Sequence, residues 1–133
     1  MATPILEAID VWRSYQRGSE TIHALAGMHL TVQPGEMVGI VGRSGSGKTT
    51  FLNQVGCLDT PSSGIISMDD RDVSVMKRNE LALLRRSSIG FIFQAYNLIP
   101  VLSALENVSF PLVLLGKSAA EARERSMKVL EQV

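Results

Sequence analysis

The stretch EMVGIVGRSGSGKTTFLNQV, residues 36–55, decides how this chain is read. It falls into three parts. Met37 to Val41 is a near-continuous apolar run, the pattern of a strand buried on both faces. Gly42-Arg43-Ser44-Gly45-Ser46-Gly47-Lys48-Thr49 matches G-x-x-x-x-G-K-[ST] at every fixed position. Thr50 to Val55 then carries on as a helix. Strand, glycine-rich loop and helix in that order form a cradle for a polyphosphate. Such a ligand needs several backbone N–H groups turned inward, and glycine lets the loop wrap closely because it has no Cβ. The helix that follows directs its N-terminal N–H groups and its dipole at the same anion. Lys48 is expected to reach the β- and γ-phosphates, and the Thr49 hydroxyl to hold Mg²⁺. Gly42, Arg43, Ser44, Gly45, Ser46, Gly47 and Thr50 complete the expected nucleotide-binding set. A dinucleotide fingerprint fits poorly, since Thr50 stands where its third small residue belongs.

Working outward, Ile5 to Val11 reads as a first strand and Arg17-Gly18-Ser19 as a turn. Met28, Leu30 and Val32 alternate with His29, Thr31 and Gln33, a half-buried strand closed by Pro34-Gly35. Beyond the loop, a turn cluster at Asp59 to Gly64 precedes a strand at Gly64 to Met68. Asn79 to Arg86 reads as a short helix and Ile89 to Phe93 as a buried strand ending at Gln94. Leu105 to Val108 is expected to be helical. A last helix starts at Ser118, with Glu121 three residues on as a capping box and Glu121/Arg125 and Glu124/Lys128 as i,i+4 pairs.

The whole-chain numbers narrow the class. At 133 residues, 45% apolar and 20% charged, the chain has the composition of one ordinary globular domain. Lys plus Arg and Asp plus Glu both number 13, and a zero balance gives no electrostatic footprint for nucleic acid, which is not expected as a partner. The lone cysteine, Cys57, has no intrachain partner and reads as a small buried hydrophobe. No apolar run approaches the roughly 18 residues that span a bilayer. The expected location is therefore cytoplasmic, with any membrane work done through a partner.

The stretches quoted, with DVWRSY at 10–15 and RRSSIGFIFQAYNLIPVLSALENV at 85–108, resemble the ATP-binding subunit of ABC transporters. The likeness is to the group serving lipoprotein release and macrolide export, and it runs from Ile5 onward in order. It implies an α/β fold: a P-loop NTPase core with an N-terminal antiparallel β-layer and a truncated helical subdomain. It implies ATP and Mg²⁺ as cofactors and ATP hydrolysis coupled to transport in the full-length parent. By the same resemblance Tyr15 stacks on adenine. Gln94 helps bind Mg²⁺ and the attacking water, which places it with Lys48 among the catalytic residues and with Thr49 among the metal ligands. The segment Gln94 to Leu102 would meet a transmembrane permease subunit on the inner face of the cell membrane, and a second ATP-binding subunit would complete a dimer.

The resemblance also implies parts that residues 1–133 do not contain: a strand ending in the metal-binding Asp, a following Glu, a Ser-Gly-Gly-Gln signature and a late His. The chain thus reads as a single partial ATP-binding domain, cut before the signature and Walker B segments and inactive alone. Asp69 and Asp70 mimic a strand ending in carboxylates, but their segment comes right after a Pro-Ser-Ser-Gly turn, and by the resemblance it matches the family's small antiparallel hairpin. A GTPase, a small-molecule kinase and a non-catalytic ATP-binding module are the rival readings. No Asn-Lys-x-Asp base-reading motif is present.

Overall fold

The computed structural model describes residues 3–133. The chain divides within its second helix into two compact units, the first running to Leu83 and the second comprising Leu84–Val133.

The first unit is built on a sheet of four antiparallel strands in the order β2-β1-β3-β4. They are β1 (Leu6–Arg17), β2 (Glu20–Val32), β3 (Ser63–Met68) and β4 (Arg71–Asp72). Strand β1 is long because its polar end, Arg13 to Arg17, keeps its ladder with β2 up to the Gly18-Ser19 turn. Alternation along β1 breaks at Asp10, which has φ 48° where the register shifts against both neighbours. The extra residue changes the parity of the strand. Ala8 and Val11, three apart, consequently both face the core, at 2% and 0% exposure.

Leu25, Phe51, Cys57, Ile66, Val73 and Leu81 complete the buried apolar set of this unit. Met28, Leu30 and Val32 alternate with exposed neighbours as expected. Helix α1 (Lys48–Val55) buries Phe51 and Gln54 and touches β1 and β2. Asp69 and Asp70, with φ 47° and 60°, form the two-residue tip of the β3–β4 hairpin. They are exposed, at a turn, and end no buried strand.

Two expected strands do not form. Met37–Val41 and Ile89–Phe93 are irregular, and their apolar side chains are largely in solvent: Met37 is 97% and Ile92 fully exposed. A strand exists through its ladder, and among the described residues no segment pairs with either. The stacking of Phe91 on Phe93, 5.4 Å apart, is the i,i+2 relation of extended backbone without a partner strand.

Helix α2 (Arg78–Ser88) spans the division. The second unit continues into a helical hairpin of α3 (Ala104–Leu114) and α4 (Ala119–Leu130), which pack on one another and bury Ala122 and Ser126 of α4. The full capping box lies at α3. Ser103 Oγ accepts from Glu106 N, and Glu106 Oε2 accepts from Ser103 N at 2.7 Å. At α4 only half of the expected box forms: Ser118 Oγ accepts from Glu121 N. The Glu121 carboxylate instead meets Arg125 at 2.7 Å and Lys117 at 3.4 Å, and two cations outcompete one amide for it. The pair Glu124–Lys128 forms at 2.8 Å as expected.

Candidate phosphate-binding site

The site is assembled at the junction of β2 and α1. Gln33-Pro34-Gly35-Glu36 closes β2 as a turn, with Glu36 N donating to Gln33 O and Gly35 at φ 78°. The chain then reaches Gly42 and coils. Ser46 N donates to Arg43 O at 3.2 Å, Gly45 has φ 78°, and Gly47, at φ 90°, is the N-cap of α1. Two demands meet at Gly47. Its backbone lies in the left-handed half of conformational space, and a Cβ there would stand 2.5 Å from the Ala24 carbonyl oxygen of β2. The close approach of loop to strand thus depends on a missing side chain.

The N-terminus of α1 has no side-chain cap and no acidic residue in its first turn. Helix N–H groups left without side-chain acceptors, together with the positive dipole end, are the ordinary provision for an anion. Lys48 Nζ donates to Gly42 O at 2.8 Å and to Arg43 O at 2.7 Å, which uses two of its three donors and holds the ammonium inside the loop's curl. An open cavity of about 480 Å³ lies over this end of the helix, lined by Ala24, Ser44, Gly45, Gly47, Lys48, Thr49 and Thr50. Its chemistry suits a polyphosphate. The walls are backbone, hydroxyls and one ammonium, and no carboxylate lines it. Thr49 is an exposed hydroxyl at the helix start and lines the cavity.

Of the residues singled out from sequence, the structure brings Gly42 to Thr50 together in this loop. Tyr15 lies in the same unit near the end of β1, opposite Ile22 of β2 and 43% exposed. It is not among the residues lining the cavity. Around it is a cluster that sequence reading missed. The Arg13 guanidinium carbon sits 4.8 Å from the centroid of the Tyr15 ring. Arg13 Nη2 contacts both oxygens of Asp59, at 2.9 and 2.8 Å. The Tyr15 phenol, first, and then the Asp59 carboxylate hold the Arg13 guanidinium above its ordinary value against the opposing effect of burial. Ala24 was missed as well, because only the fold lays β2 beside the loop.

Gln94 stands in the second unit, exposed, in an irregular segment. The segment after it is tethered by Asn107 of α3. The Asn107 Oδ1 accepts from Ile99 N at 2.8 Å, and its Nδ2 donates to the carbonyls of Ile99, Leu102 and Ser103. Tyr96, Leu98 and Val101 project into solvent from this tethered loop, at 94%, 63% and 89% exposure.

Residues 25–133 match the ABC transporter family. The chain belongs to that family. The macrolide export ATP-binding/permease protein MacB of Sodalis glossinidius (strain morsitans) is 46% identical over 133 residues, all of this chain. The protein of the same name from Marinobacter nauticus is 46% identical over 127 residues, 96% of this chain. The chain spans 20% of the length of each of these relatives. Among solved structures, the dimeric ATP-binding cassette MJ0796, in a post-hydrolysis state bound to ADP and Pi, superposes with a TM-score of 0.89 at 42% identity. That match covers 95% of this chain and 56% of the cassette. The fold is therefore the α/β fold of ABC ATPase cassettes, with its antiparallel layer and helices formed here. Among the described residues no helix is long and apolar enough to cross a membrane.

Proposed function

We propose that this chain binds MgATP in the loop Gly42–Thr50 and is part of the ATP-hydrolysing subunit of an ABC transporter that powers export or lipid and lipoprotein release. The observation that carries the reading is the curled loop over an uncapped helix start, with Lys48 tucked inside it. In this reading the backbone N–H groups of Gly45 to Thr50 and the Lys48 ammonium hold the phosphates, the Thr49 hydroxyl holds Mg²⁺, and the Tyr15 ring takes the adenine. Magnesium, when bound, supplies charge neutralisation along the β- and γ-phosphates. The role of Gln94, help in binding the metal and the attacking water, rests on the family resemblance alone.

Residues 1–133 form a partial ATP-binding domain in this proposal, and the chain alone binds without useful turnover. Positioning the phosphates without a water-orienting carboxylate leaves phosphoryl transfer short of one recurring part. The exposed loop Gln94 to Leu102 is the proposed contact for a transmembrane permease subunit, a second ATP-binding subunit completes the dimer, and the protein works peripherally at the inner face of the membrane.

The experiment is a thermal-shift titration with MgATP on the chain and on Lys48→Ala. Ligand at about 100 times its dissociation constant should stabilise the fold by roughly 2.7 kcal/mol. Lys48→Ala should need at least tenfold more nucleotide for the same shift. No shift in a folded sample would end the proposal. Phosphate release abolished by Lys48→Ala would refute the claim that the chain alone is idle.

A further inference from the structure

The Asp59 carboxylate meets four residues, Arg13, Tyr15, Gln54 and Thr60, although it lies outside the phosphate loop. Its Oδ1 accepts from Arg13 Nη2 at 2.9 Å and from Thr60 N at 2.9 Å. Its Oδ2 contacts Arg13 Nη2 at 2.8 Å and accepts from Gln54 Nε2 at 3.1 Å and, over a long 3.4 Å, from the Tyr15 hydroxyl. Gln54 is 1% exposed and belongs to α1, the helix whose first residues line the phosphate cavity. One carboxylate therefore joins the phosphate-loop helix to the end of β1.

The joint bears on the Tyr15 ring. A guanidinium seated 4.8 Å from the centroid covers one face, and such a contact holds both groups in register. Among the described residues no other aromatic or cationic group lies over the ring, and Tyr15 is 43% exposed. At 43% exposure the residue keeps surface on which a planar base can stack. Arg13 cannot stay over the ring unless its own position is set, and the Asp59 pair at 2.8–2.9 Å sets it.

We infer that Asp59 and Arg13 are positioning residues for nucleotide binding. The pair orients the Tyr15 ring and ties it to α1, so that base stacking and phosphate binding are made on one rigid piece. This rests on the proposed stacking of adenine on Tyr15, and its consequence is specific. Loss of the pair weakens the base-dependent part of affinity and leaves the phosphate-dependent part alone.

The test measures dissociation constants for MgATP and for magnesium tripolyphosphate, which has no base, on the whole chain. The variants are Tyr15→Ala, Tyr15→Phe, Arg13→Ala, Asp59→Ala and Tyr15→Ala/Asp59→Ala. Tyr15→Ala should weaken MgATP fivefold to a hundredfold, the range of base–aromatic stacking, with tripolyphosphate unchanged. Arg13→Ala and Asp59→Ala should each weaken MgATP at least fivefold, again with tripolyphosphate unchanged, and the double variant should be no worse than Tyr15→Ala alone. Tyr15→Phe keeps the ring and its Arg13 contact and should bind MgATP within about threefold of the unaltered chain.

The two readings fail differently. Unaltered MgATP binding in Tyr15→Ala removes the stacking reading, and the inference with it. A loss in Tyr15→Ala that Asp59→Ala and Arg13→Ala do not share overturns the positioning inference alone. Equal loss of both ligands in Asp59→Ala also overturns it, because the carboxylate would then support the fold of the unit and not the ring. Asp59→Asn keeps the shape and, through Oδ1, the Thr60 contact, and its Nδ2 can meet Gln54 once that amide turns to present its unpartnered Oε1. It should reproduce the selective MgATP loss if the ion pair is what matters.

Discussion

The three loop glycines make a graded series that tests how the phosphate loop is held against β2. A Cβ on Gly42 would meet the Ser46 Oγ at 2.7 Å, a side-chain atom that can rotate away. Gly42→Ala should cost at most about 1 kcal/mol. A Cβ on Gly45 meets nothing within 4 Å, but φ is +78° there, so Gly45→Ala carries only backbone strain, about 1–2 kcal/mol. At Gly47 the φ of +90° adds the same strain, and the Cβ would also stand 2.5 Å from the Ala24 carbonyl oxygen and 3.1 Å from Leu25 Cδ2. A carbon approaches a carbonyl oxygen no closer than roughly 3.3 Å, so strand or loop must yield by about 0.8 Å. Overpacking of that size costs a further 1–3 kcal/mol, which brings Gly47→Ala to about 2–5 kcal/mol. Urea unfolding followed by the fluorescence of Trp12, the single tryptophan, reads the first unit directly. The order of midpoints should be Gly42→Ala, then Gly45→Ala, then Gly47→Ala lowest. A Gly47→Ala chain as stable as Gly45→Ala would show that the loop does not lean on β2 as described.

Three further expectations concern the second unit. Asn107→Ala removes four hydrogen bonds to the Ile99–Ser103 turn and should destabilise that unit by about 2–3 kcal/mol, with amide exchange at Ile99 rising in parallel; protection at Ile99 equal to that of the unaltered chain would refute the tether. The Ser103 hydroxyl, then the Ser103 backbone, hold the Glu106 carboxyl below its ordinary value. A depressed folded-state value means the contribution is full above the unfolded value of about 4.3 and is lost as pH falls through the lower folded one. Helix signal from α3 should therefore decline on acidification below about pH 4, and Glu106→Gln should flatten that decline; identical pH profiles would exclude the carboxylate as its source. Leu98→Asp, in a parent protein containing this segment, should abolish recruitment to a membrane permease while MgATP binding persists, measured by vesicle co-sedimentation and nucleotide titration; unchanged recruitment would assign the exposed loop another role.

What the sequence determined by itself are the features whose causes lie within a few residues. The phosphate loop is one, since a run of backbone N–H groups, two left-handed glycines and a helix start are all written between Gly42 and Thr50. The turns at Gly18-Ser19 and Pro34-Gly35 are others, and so are the i,i+4 pairs of α4. Tertiary structure decided the rest. Met37–Val41 and Ile89–Phe93 have strand composition, but strand formation belongs to a pair of segments, and no described segment supplies the second member. The bulge at Asp10, which turns both Ala8 and Val11 inward, arises where β1 must match two neighbours at once. Ser103 and Ser118 present the same cap signal, yet only Ser103 completes its box, because Lys117 and Arg125 capture the second glutamate. Asp59 looks like one more polar turn residue. Folding places it between Arg13, forty-six positions away, and Gln54 of α1, because β1 and the end of that helix share one core.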